Sequence, residues 1–159
     1  MFKRFIYFFT ANYIVASLIY FLLHLILPRG YVFGALYRMF LYHESHPYEY
    51  IFIPCFIYAI IFTCLAPWIK KRKYNFIYII FFILLSVIIS SPLGGLLWEY
   101  HDMKAGFFPE GKLLTDKLLE GFTLGISIGW IIIAMSIPYN IFCLIAGYVI
   151  IKTGIDRFS

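Results

Sequence analysis

The chain has 159 residues, of which 63% are hydrophobic and 13% charged, with a formal net charge of +5. Soluble domains are about 45–50% apolar and about 25% charged, and a soluble fold of this length has too little interior to hide so much apolar surface. Lipid must therefore be the solvent for most of the chain; the positive charge is no sign of nucleic acid, because the basic residues sit in short clusters between apolar runs.

A spanning helix needs roughly 20 apolar residues, and four segments qualify. The first is 5–27, stopped by Pro28-Arg29-Gly30. It follows Lys3 and Arg4 as a signal peptide would. It is longer than the hydrophobic core of a signal peptide, and no small-residue cleavage site follows, so an uncleaved span is expected. The second is 50–69, entered after Pro47 and closed by Lys70, Lys71, Arg72 and Lys73. The third is 74–97, its end loosened by Ser90-Ser91-Pro92-Leu93-Gly94-Gly95. The fourth is 118–151. As one straight helix it would measure about 50 Å at 1.5 Å per residue, against a hydrocarbon core of about 30 Å. Its halves read as too short for two spans. A single tilted helix kinked at Pro138 is therefore expected, with a re-entrant arrangement as the alternative. No barrel-type alternation is visible. The fold class is all-α: one polytopic membrane domain over 1–159, a four-transmembrane-helix bundle of two antiparallel hairpins.

Charge sets the expected orientation. One side of this arrangement holds Lys3, Arg4, Lys70, Lys71, Arg72, Lys73, Lys152 and Arg157, with Asp156 its one acid. The other holds two loops, 28–49 and 98–117, with Arg29, Arg38, Lys104, Lys112 and Lys117 against seven acids once Glu120, just past the second loop, is included. Lys and Arg accumulate on the cytoplasmic side, so the 70–73 loop and both termini are expected inside, in a plasma membrane of bacterial type. Lys70, Lys71, Arg72 and Lys73 are the topology determinants. The stretch from Tyr31 to Tyr42, aromatic and apolar around Arg38, reads as a segment lying in the headgroup plane.

Few residues could carry chemistry. Gly121, Gly125 and Gly129 put three glycines at four-residue spacing on one helix face, where backbones can approach closely. Such a face serves packing inside the monomer or an interface with a partner or second copy. Thr123 and Ser127 could add bonds across it. The four histidines, His24, His43, His46 and His101, all map to the outer side. His43, His46 and His101 with Glu99 and Asp102 are the ligand types of a metal site, although no HExxH or comparable motif is present. Ser90 or Ser91 with His101 and Asp102 gives the residue types of a triad without the nucleophile elbow, so no catalytic residues are assigned.

No Asp, Glu, Lys or Arg lies at mid-span, which disfavours an ion-coupled carrier. The polar groups at depth are mild, Asn12, Ser86 and Asn140 among them, and Asn140 is placed to cap carbonyls freed by Pro138. Cys55, Cys64 and Cys143 fall within apolar runs and read as packing residues. No cofactor is expected. The expected partners are the bilayer and another membrane protein or a second copy. The leading expectation is a non-enzymatic binding, regulatory, assembly or immunity protein. The alternatives are an outward-facing metal-dependent enzyme and a small oligomeric channel or carrier.

Overall fold

The computed structural model describes residues 1–41, 45–72, 75–107 and 113–158. Among these the secondary structure is entirely helical: α1 (Phe2–Ile26), a short α2 (Val32–Leu36), α3 (Pro47–Lys70), α4 (Asn75–Lys104), α5 (Leu114–Leu124), a π-helical turn (Gly125–Gly129), α6 (Trp130–Met135) and α7 (Tyr139–Arg157). Helices are the expected form, since lipid cannot satisfy a free backbone N–H or C=O. Pro47 opens α3, where its missing N–H costs nothing.

Among the described residues five helices, not four, are long and apolar enough to cross a membrane, the α5–π–α6 rod counting as one of 22 residues. The expected single helix over 118–151 is two. It breaks at Ser136-Ile137-Pro138, and α7 restarts at Tyr139. Two helices fit because each extends beyond the apolar window. The first begins at Leu114 and takes in Asp116, Lys117 and Glu120, and the second runs on to Arg157. As expected, Asn140 Nδ2 donates to carbonyls freed at the break, those of Ile133 (3.4 Å) and Ala134 (2.5 Å). The expected loop 98–117 is likewise mostly helix. α4 passes through Pro92 and the glycine pair and stops only at Lys104.

Ring contacts fix the packing. α1 and α3 are antiparallel, with Phe8 against Phe62, Phe9 against Phe52 and Tyr20 against Tyr48. α3 and α4 form the predicted tight hairpin, with Trp68 against Tyr78 and Phe62 against Phe82. α7 runs antiparallel to α1. Gly154 lies under the rings of Tyr7 and Phe8, and Arg4 Nη2 donates to the Phe158 carbonyl at 2.6 Å. Both termini therefore sit at the end of the bundle that carries Lys70, Lys71 and Arg72, called here the basic end. The opposite, histidine end carries His24, His46 and His101.

Two apolar clusters stack along the bundle. One, toward the basic end, is built on Phe8, Tyr58, Phe62, Ile69, Ile79 and Ile151. The other, toward the histidine end, is built on Tyr20, Tyr37, Phe40, Tyr50, Ile51 and Tyr139. The α5–π–α6 rod begins beside the second cluster and returns to it. Lys117 lies 3.4 Å from Glu99, and Tyr139, four residues past the rod's end, stacks on Phe40 with ring centroids 4.6 Å apart.

Candidate functional site

The glycine face of the rod is spent inside the monomer. Gly121 and Gly125 are buried against α4. A Cβ on Gly121 would meet the Gly95 carbonyl oxygen at 2.6 Å, and one on Gly125 the Ser91 carbonyl oxygen at 2.5 Å. Ser91 Oγ donates to the Gly125 carbonyl at 2.6 Å, closing the contact with a hydrogen bond. Thr123 and Ser127 do not bond across this interface. Each hydroxyl donates to the carbonyl four residues back, Leu119 and Thr123 respectively, the usual local alternative for a helical Ser or Thr.

The π turn stays packed on α4, and the rod leaves α4 only along α6; Gly129, the third glycine, also lines a cavity. The cavity has a volume of about 430 Å³ and lies between α3, α4, α6 and α7. Its walls are mostly apolar, with Ser86, Ser90, Asn12 and Asn140 as polar points. Leu84 and Ile88 of α4 and Trp130 and Ile141 of the facing elements line it and are also exposed, so its rim opens on the lipid-facing surface. Cys55 and Cys143 both lie in its wall as free thiols. Gly94 borders it as well, and a Cβ there would meet nothing within 4 Å.

Above the cavity sits a polar cluster. Tyr50 lines the cavity and touches the ring of His101, centroids 5.9 Å apart. The rings of His101 and His46 stack at 4.4 Å, nearly parallel. Glu49 bridges both, 3.2 Å from His101 Nε2 and 3.5 Å from His46 Nδ1. Beside it Glu99, 4% exposed, faces Lys117, which also reaches Glu120 at 3.2 Å. The cluster ties α3, α4 and α5 together at the histidine end.

Of the candidate metal ligands the structure brings together His46 and His101, whereas Glu99 faces Lys117 on α5. Asp102 is half-buried on the next turn of α4, and His43 lies outside the described residues. The two histidines share Glu49, and among the described residues no three His, Cys, Asp or Glu side chains are placed to hold a metal ion. Lys70, Lys71 and Arg72 are exposed at the basic end, with the Arg72 guanidinium over the Trp68 ring; Lys73 lies outside the described residues.

Glu49 and Lys117 are site members that residue type alone did not single out. The spacing of Glu49, one helical turn after His46, was the available signal. Gly95 was legible only as half of a glycine pair and is the other face of the α4–α5 contact. No family model, curated protein or solved structure matches the chain.

Proposed function

We propose that the protein is a non-enzymatic membrane component that binds a hydrophobic or amphiphilic molecule of the membrane, through which it exerts a regulatory, assembly or protective role. The cavity of about 430 Å³ carries this reading. Its size falls within the range of ligand pockets, roughly 300–1,000 Å³, and its largely apolar lining with a few polar points matches their usual chemistry. Its rim faces acyl chains, so the molecules that can reach it are membrane-soluble. The stacked histidines and their carboxylates lie over its end, where an amphiphile would place a polar head.

Gly94→Leu tests it. The new side chain projects into open space beside the cavity, so it should fill the site without disturbing the Gly95 contact. Native mass spectrometry and solvent extraction of protein purified in mild detergent should find a retained hydrophobic molecule in the wild type and much less in the variant, at unchanged unfolding temperature. A wild type that retains nothing, or a variant that retains as much, would overturn the reading.

The topology that best supports this site has four full crossings, α1, α3, α4 and α7. The α5–π–α6 rod enters from the histidine end and returns to it, and the termini share the cytoplasmic side with the basic loop. The support is the Arg4–Phe158 bond, since five crossings would part the two ends. Cysteines placed at Lys71 and Asp156 should react with an impermeant maleimide only from the cytoplasmic side, and cysteines at Ser45 and Ala105 only from outside. Labelling of Lys71→Cys and Asp156→Cys from opposite sides would refute this topology.

A further inference from the structure

Arg38 is a buried cation at the histidine end. It follows α2, in a stretch whose first residues, Tyr31, Val32 and Phe33, are exposed apolar side chains and whose next, Tyr37, Phe40 and Leu41, are buried in the bundle. Burial of those three draws Arg38 in with them, to 6% exposure. Its Nε donates to the Tyr37 hydroxyl at 2.8 Å, and its Nη2 to His24 Nδ1 at 3.3 Å. Both acceptors are neutral: the ring nitrogen that accepts cannot carry a proton. The Tyr37 ring lies under the guanidinium at 5.0 Å. Among the described residues the second amino group, Nη1, is buried with no acceptor. Among the described residues no carboxylate stands within ion-pair distance of Arg38; the pairs formed there involve His46, His101 and Lys117.

A buried charge is costly unless it is paired and its donors are satisfied. Two neutral acceptors and a ring face do not neutralise a guanidinium. The missing partner is an anion with acceptor oxygens, and the planar fork of arginine matches a phosphate. We infer that Arg38, with His24 and Tyr37, binds the phosphate of an anionic lipid headgroup. The lipid source follows from the surroundings. Leu25 and Ile26 at the end of α1, and Tyr31, Val32 and Phe33, are all more than half exposed, so the approach to the site lies across an apolar surface. Aromatic side chains mark the headgroup level of a bilayer, which is where lipid phosphates lie. His24, exposed on α1, is the member of the group open to that surface. This inference stands apart from the cavity and holds whether or not the cavity is filled.

The test uses the full chain in nanodiscs containing phosphatidylglycerol and phosphatidylcholine, with retained lipid counted by native mass spectrometry. The wild type should retain phosphatidylglycerol preferentially. Arg38→Gln should weaken that retention about tenfold or more, the loss expected for a charge-assisted contact. Arg38→Lys should fall between, keeping charge and losing the fork. His24→Ala, a change at an exposed position, should weaken retention less while leaving the fold intact. Independently of any variant, phosphatidylglycerol should raise the wild-type unfolding temperature above that in phosphatidylcholine alone. Equal retention of the two lipids by the wild type, or no such rise, would overturn the inference. Displacement of the lipid by millimolar inorganic phosphate would overturn its assignment to a headgroup.

Discussion

Gly95→Ala will lower the unfolding temperature of the detergent-solubilised protein by roughly 5–10 °C, while Gly94→Ala, one residue earlier on the same helix, will leave it unchanged or raise it. The contrast isolates packing from propensity, because alanine is favoured over glycine by up to about 1 kcal/mol inside any helix. At Gly94 a Cβ meets nothing within 4 Å. At Gly95 it would drive into the carbonyl oxygen of Gly121, with the Gly125 backbone nitrogen only 3.0 Å away. Those obstacles are backbone, so no rotamer relieves the clash; α4 and α5 must separate. Forcing extra volume into a packed interface costs typically 1–3 kcal/mol, and here the separation also breaks the Ser91–Gly125 hydrogen bond. In lipid no hydrophobic force drives helices together, and close backbone contact between small residues is the main source of affinity. Loss of that contact should therefore be felt across the whole rod. Equal unfolding temperatures for the two variants would show that the α4–α5 seam is not the source of stability claimed for it.

How far the sequence led can be judged from this seam. The four-residue spacing of Gly121, Gly125 and Gly129 identified a close-packing face, because glycine on a lipid-embedded helix has few other uses. It did not identify the partner, since the same physics serves intramolecular and intermolecular contact. Gly95 and Ser91, which complete the seam, read as loosening elements near a helix end. The α4 helix in fact continues through them, since one turn later Glu99 and His101 find partners on α5 and α3. The count of helices went astray at 118–151 for a related reason. Hydropathy stopped at Leu118 and Ile151, whereas the helices run on through charged residues such as Lys117 and Arg157 that are paired or lie at the bundle ends. Apolar periodicity reports where lipid touches the chain. It is silent about charged turns that pack on other charged turns, and so about Glu49 between two histidines and Arg38 beside His24. The cavity was illegible for another reason: it lies where the rod diverges from α4 after Gly129, a relation between helices that no single segment encodes.

The second large effect is expected at the ion pair of buried Glu99 with half-buried Lys117, within the polar cluster. Lys117→Met should destabilise the protein to an extent that rivals Gly95→Ala, Glu99→Gln should do less, and the double variant should recover most of the loss. Glu99 is 4% exposed, and its carboxylate lies 3.4 Å from the Lys117 ammonium. Removing the cation leaves that carboxylate buried without a counter-charge, whereas Glu120, the other acid on Lys117, is exposed and can turn to water. Glutamine at position 99 removes the buried charge and leaves Lys117 its contact with Glu120. Replacing both partners removes the desolvation cost together with the attraction, which is why such double changes are often close to neutral. A double-mutant cycle measures the coupling directly. A cycle that closes with no coupling would mean that the two side chains act independently, and that the Gly95–Gly121 contact alone holds the rod to α4. A strong coupling would mean that the rod is held at two places, by charge beside its first turn and by backbone contact two turns deeper. The part beyond Gly129 would then be the segment free to move against the cavity it walls.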